Sequence, residues 1–306
     1  MFKKFLAFIL CTAVAVGASG CGQAASARVT SSKSVDRKLN VSVSFNAMAE
    51  FAKAVGKNKV TVSTIIPDGT EPHDFEPKAQ DLVGLSKADV FVYNGFGMEK
   101  WANNAVQSAN NKKLIAVEAS KGAEPIKNED AGEVKEHGEY DPHLWLSIKG
   151  AETETKNICD AFIKADNTDK SYFEKNRNAF ISELEGLYKE YQNKFANVSK
   201  DSIVTGHAAF AYFCRDFHLK QNSVEDVFAD GEPSTKQLTE LVNYCKKNKV
   251  TTIFAEEMAS PEVSKSLANE VGAKVETIYT VESAEDNKDY LTRVKENMQK
   301  IYESCH

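Results

Sequence analysis

The sequence predicts an α/β protein of two lobes, each with a four-stranded parallel sheet flanked by helices, joined by one long rigid α-helix. Three observations carry that expectation. Short β-branched runs alternate with helical patterns over residues 39–165, the same rhythm returns over 199–306, and residues 169–198 between them read as one uninterrupted helix.

The chain opens with Lys3 and Lys4, an apolar run from Phe5 to Val16 and a tail of small residues, the pattern of a secretory signal over residues 1–20. The run is too short to span a bilayer as a permanent helix, and no later run reaches transmembrane length. Ala18-Ser19-Gly20-Cys21 resembles a bacterial lipobox, in which the Cys becomes the first mature residue and is acylated. That resemblance implies an extracytoplasmic protein, lipid-anchored to the bacterial cell membrane through Cys21. Residues 21–38 are small and polar and read as a flexible tether.

In the first lobe, residues 39–165, strand-like runs fall at Leu39 to Phe45, Val60 to Ile66, Val90 to Tyr93 and Leu114 to Val117. Helical patterns at Asn46 to Val55 and Trp101 to Ala109 separate them. In the second lobe, residues 199–306, the runs are Ser202 to Thr205, Gln221 to Val224, Thr251 to Ala255 and Lys274 to Tyr279. The linking segment, residues 166–198, contains no Pro. It places Tyr172, Phe173, Phe180, Leu184, Leu187, Tyr188, Tyr191 and Phe195 at helical spacing, with Thr168 as the expected N-cap. About 30 residues at 1.5 Å each span about 45 Å, enough to make a stiff spine and to limit hinge closure.

Composition excludes several classes. The 306 residues carry 38 Lys+Arg against 44 Asp+Glu, so a nucleic-acid partner is not expected. Hydrophobic residues at 42% can fill a core, which excludes a disordered chain. The six Cys are too few for a disulfide scaffold.

The histidines carry the chemistry. His73 lies in the Pro-, Gly- and acid-rich loop PDGTEPHDFEP, His143 follows the turn Asp141-Pro142, and His207 lies directly after a strand in SIVTGHAAFAYF. His73 and His207 thus sit at carboxyl ends of parallel strands, where open α/β sheets gather ligands. Three residues of one ligand type on stiffened loops fit a metal site assembled from distant parts of the chain. The wide spacing carries no motif, HExxH is absent, and unconnected structural histidines remain the alternative.

The segments DGTEPHDFEPKAQDLVGLSKADVFVYNGFGMEKW, DPHLWLS, VTGHAAFAYFCRDFHL, GEPSTKQLTEL and IFAEE occur in that order. Together they resemble the substrate-binding lipoproteins of bacterial ABC importers for zinc and manganese. The resemblance implies one metal in the cleft between the lobes, a permease of the ABC type as partner, a monomer, and no enzymatic activity. His73, His143 and His207 match three of that family's ligand positions. His at the third position points to Zn2+ over the alternative Mn2+, since imidazole suits zinc and extra carboxylates suit manganese. The fourth position departs from the pattern, which usually has Asp. Tyr279 or Val281 aligns there by eye and Glu282 is the nearest acid, so Glu282 is assigned as fourth ligand with Glu285, Asp286 or water as alternatives.

A His₃-carboxylate set leaves no open position for a reactive water, which argues against hydrolysis. Capture is expected to weaken as pH falls through about 6.5, where free His protonates. Glu71, Asp74, Asp141 and Glu256 are the acids placed to orient the rings, each equally readable as an ordinary solvated carboxylate. Alternatives are a manganese or iron receptor of the same build, a zinc-dependent surface hydrolase, and an adhesin with structural zinc.

Residues 121–140, with six acids and His137, read as a mobile surface loop, a solvated connector in preference to an auxiliary metal scavenger. Beyond Cys11 and Cys21, four Cys remain. Cys245 with Cys305 is the preferred disulfide, and free buried thiols are the alternative.

Overall fold

The computed structural model describes residues 37–128, 134, 138–227, 234–256, 262–284 and 286–306. The signal segment, Cys21 and nearly all of the tether lie outside them, as do His137 and Glu285.

Strands β1 (Leu39–Val43), β2 (Val60–Thr64), β3 (Val90–Tyr93) and β4 (Ile115–Glu118) form a parallel sheet in the order β2-β1-β3-β4. Val41 sits in the middle of it, in register with Val62 on one side and Val90 on the other. Helix α1 (Asn46–Gly56) connects β1 to β2 and buries Met48, Phe51, Ala52 and Val55 at helical spacing. Helix α2 (Ala102–Ser108) connects β3 to β4, and α3 (Ile148–Ala165) packs back on the sheet, capped by Ser147, whose hydroxyl accepts from Gly150 N–H.

The second sheet repeats the first. Strands β5 (Ser202–Thr205), β6 (Lys220–Ser223), β7 (Thr252–Glu256) and β8 (Lys274–Ile278) are parallel in the order β6-β5-β7-β8. Every residue of β7 is buried, the pattern of a strand covered on both faces. Helices α5 (Ala211–Phe217), α6 (Thr235–Asn248) and α7 (Glu262–Val271) connect the strands. Helix α8 (Tyr290–Ser304) closes the lobe, its start capped by Asp289. Both sheets reverse strand order beside their first strand, which opens a crevice at the carboxyl ends.

The linking helix α4 (Lys170–Phe195) has 26 residues, about 39 Å at 1.5 Å per residue. Thr168 is not its cap. A 3-10 turn, Asn167–Asp169, precedes the helix, and the Asp166 carboxylate caps that turn by accepting from Thr168 N–H. Helix α4 buries Phe173, Phe180, Leu184, Tyr191 and Phe195, while Tyr172, Leu187 and Tyr188 are half-buried. Phe180 meets Phe51 of α1 and Tyr290 of α8 at 6.1 Å each, and those two rings lie 4.8 Å apart. One aromatic from each lobe therefore packs with one from the spine, in steep ring contacts that resist sliding.

Cys159, Cys214, Cys245 and Cys305 are all free and buried, so the expected Cys245–Cys305 bridge is not formed. The sheet itself explains this. Cys245 belongs to the apolar cluster that takes Val204 and Ile253, whereas Cys305 belongs to the one that takes Ile203 and Phe254. Successive strand residues point to opposite faces, so the two thiols lie on opposite sides of the second sheet. Burial pushes the Cys245 and Cys159 thiols up to about 11, which makes both unreactive.

The loop after β4 is pinned at its described ends by an antiparallel bridge between Lys127 and Tyr140 and by Asp141 N–H donating to the Ile126 carbonyl.

Candidate metal centre

The four candidate ligands all lie in connecting segments outside the strands and helices. His73 lies in the loop after β2, His143 between β4 and α3, His207 just beyond β5, and Glu282 just beyond β8. Each side chain is almost wholly buried, and all four come together, with one potential ligand atom from each within 4.8 Å of the others.

The Nε2 atoms of His143 and His73 are 3.2 Å apart, and those of His207 and His143 are 3.1 Å apart. Glu282 Oε1 lies 3.8 Å from His143 Nε2 and 4.0 Å from His73 Nε2, while its Oε2 accepts from the Thr280 hydroxyl at 3.0 Å. Ligands at about 2.0–2.1 Å around a tetrahedral zinc stand about 3.3 Å from one another, so the imidazole spacing fits one such ion.

Carboxylates behind the rings set their orientation. Asp141 Oδ1 receives both the backbone N–H and Nδ1 of His143, each at 2.9 Å. Glu256 holds His207 the same way, through Oε1 from the backbone N–H at 3.0 Å and Oε2 to Nδ1 at 3.1 Å. Each carboxylate fixes the Nδ1–H tautomer, which aims the Nε2 lone pair into the centre. Glu71 accepts from His73 N–H at 3.2 Å and remains half-exposed at the mouth.

Gly206 makes the Glu256 clamp possible. A Cβ there would lie 2.5 Å from Glu256 Oε2, so any other residue would push the carboxylate off His207. Thr205 Oγ1 and Gln221 Nε2 then hold the His207 carbonyl.

Electrostatics separates the rings. Burial holds His143 well below the usual imidazole range, with the neighbouring His207 adding to the effect. Burial alone would also lower His207, but the Glu256 carboxylate, with its hydrogen bond and further help from Glu282 and Glu71, raises it to about 10. Burial pushes the Asp141 carboxyl up to about 7, against the hydrogen bond from His143. The metal-free centre thus holds a proton on His207 at neutral pH, where it bridges to His143. An incoming cation replaces that proton, which moves the pH window away from the value expected for free His.

Of the four orienting acids considered from sequence, Asp141 and Glu256 grip rings and Glu71 grips a backbone. Asp286, an alternative fourth ligand, is held instead by Arg293 and Lys288, with Lys288 bonding Tyr279 as well. Gly206 went unnoticed in the sequence. Its signal, a Gly between a strand end and a His, gains meaning only once β7 is known to lie beside β5.

Two lobes on parallel sheets, a rigid connecting helix and a buried His₃-carboxylate centre define a cation-binding protein of the two-lobed substrate-binding class. The profile of the family described as zinc-uptake complex component A, periplasmic, matches residues 41–304, and the chain belongs to that family. The putative metal-binding protein of Treponema pallidum (strain Nichols) is 44% identical over 296 residues, covering 94% of this chain and 92% of that protein. The high-affinity zinc uptake system protein ZnuA of Bacillus subtilis (strain 168) is 35% identical over 320 residues, covering 99% and 98%. Among solved structures, the laminin binding protein Lmb of Streptococcus agalactiae, described as bifunctional with adhesin and metal transporting activity, superposes with a TM-score of 0.81. It is 32% identical, with 88% of this chain and all of that one covered.

Proposed function

We propose that this protein is an extracytoplasmic receptor that captures Zn2+ between its lobes and delivers it to an ABC-type membrane permease. It acts as a monomer, tethered to the membrane by lipid on Cys21, with His73, His143, His207 and Glu282 as the ligands. One observation carries the reading: two imidazoles clamped by carboxylates turn their Nε2 lone pairs on one point, 3.1 Å apart. The His73 imidazole and the Glu282 carboxylate each bring a ligand atom within 4.8 Å of those two, a donor set that one cation engages and a shared proton does not.

Three imidazoles and one carboxylate leave a net charge of +1 on a zinc cluster and match borderline zinc better than the harder manganese. Four protein ligands fill a tetrahedron, so no coordination position is left for a hydrolytic water, and the receptor performs no chemistry on its cargo. Among the described residues no helix is long and apolar enough to cross a membrane; the lipobox-like segment ending in Cys21 is what supports the lipid anchor of this reading.

The test is elemental analysis of protein purified without chelator, followed by competition titration with Zn2+ and Mn2+. One equivalent of zinc, displaced by manganese only in large excess, is expected. Stoichiometric manganese that zinc does not displace contradicts the reading.

A further inference from the structure

The segment that carries Glu282 belongs to the second lobe, yet the first lobe holds it. Asn46, the first residue of α1, donates from Nδ2 to the Val281 carbonyl at 3.2 Å and from its backbone N–H to the Glu282 carbonyl at 3.3 Å. Trp145 donates from Nε1 to the Thr280 carbonyl at 2.7 Å. Gly69 N–H reaches Ser283 Oγ at 2.8 Å, and Ala284 N–H reaches Asp68 Oδ1 at 2.9 Å. Asn46 and Trp145 are both buried, and the Trp145 ring packs between Phe45 and His143.

Val281 lies at the centre of these bonds with φ at 61°. A β-branched residue enters that left-handed region only where its surroundings enforce it. Relaxation to negative φ would rotate the chain ahead of Glu282 and re-aim its carboxylate. The three carbonyls gripped from the first lobe are those of Thr280, Val281 and Glu282, the strained residue and its two neighbours.

We propose that Asn46 and Trp145 are positioning residues for Glu282. They hold the strained turn at Val281 from across the lobe interface, so the fourth ligand is in place only while the lobes are engaged. Losing these hydrogen bonds frees Val281, withdraws the carboxylate and leaves the ion on three imidazoles, a step toward release at a partner. The inference rests on the zinc-receptor reading above.

Two variants test it, Asn46→Ala and Trp145→Phe. The second keeps an aromatic ring between Phe45 and His143 while removing the donor together with part of the buried indole. The readouts are the rate of zinc loss to a chelator and the visible spectrum of the Co2+-loaded protein, each compared with Glu282→Ala. Both variants are expected to lose zinc about tenfold faster than the unaltered protein and to shift the cobalt bands toward those of Glu282→Ala. Neither should add to the effect when combined with Glu282→Ala. Unchanged release and spectra, or a full additional effect in the Glu282→Ala background, overturns the positioning role and leaves the receptor reading intact. Failure of the unaltered protein to bind either metal overturns both. If Asn46→Ala does not fold, Trp145→Phe carries the same comparison alone.

Discussion

His143 Nε2 and His207 Nε2 lie 3.1 Å apart although the two residues are 64 positions apart in the chain and belong to different lobes. A carboxylate behind each ring, Asp141 and Glu256, turns both lone pairs toward the same point.

Removing either ring should cost more than removing an orienting acid. His143→Ala and His207→Ala are expected to weaken zinc binding more than about 100-fold, beyond the 10–100-fold usual for a partner that only orients a ligand. Competition with a chelating dye measures this, and near-normal affinity in either variant would remove that ring from the site.

The Glu256 clamp can be broken from two directions. Glu256→Gln removes its charge, and Gly206→Ala places a methyl group 2.5 Å from Oε2 and forces the carboxylate aside. The end of the Glu256 side chain can yield, so the fold should survive in both variants. Each should bind zinc about tenfold to 100-fold more weakly with a retained circular dichroism spectrum. Normal affinity in Gly206→Ala would show that the clamp is dispensable.

The pH dependence has a definite sign. His207 is raised to about 10, so between about 7 and 10 each zinc displaces one proton and affinity rises with pH. Below about 7 Asp141 is protonated as well, and the dependence should steepen to two protons. Stability of the metal-free protein runs the opposite way. The contribution of protonated His207 is fully present below about 6.5 and is lost as pH rises through about 10. Asp141, raised from 3.8 to about 7, adds a penalty that grows as pH rises across that interval. Calorimetry in buffers of different ionisation heat counts the protons released; none released at pH 8 would contradict the assignment.

Metal preference should follow the third histidine. His207→Glu replaces an imidazole with a harder oxygen donor and is expected to lower the zinc-to-manganese affinity ratio by about tenfold or more. Paired titrations measure the ratio, and no change would mean that this ring does not set selectivity.

Strand patterning made most of the fold legible, because largely buried parallel strands, such as Val90–Tyr93 (VFVY) and Ser202–Thr205 (SIVT), write short runs rich in β-branched and apolar residues. The length of the spine was visible too, but its start was not. Thr168 and Asp166 are both capable caps, and a 3-10 turn ahead of the helix left Asp166 in the capping role. Among the site residues the three histidines stood out by residue type and loop context. Glu282 was visible only as the nearest acid to an expected position. Nothing in the sequence linked Asn46 or Trp145 to Glu282, since their hydrogen bonds reach 235 and 135 positions along the chain. The Cys245–Cys305 pairing failed for the same reason, because sequence does not say which face of a sheet a helix covers.

The most direct test is anomalous diffraction at the zinc edge from crystals of the zinc-loaded protein. A single peak is expected about 2.0–2.1 Å from Nε2 of His73, His143 and His207 and about 2.0–2.2 Å from a Glu282 carboxylate oxygen. A peak elsewhere in the molecule, or one that these three rings do not share, would contradict the account.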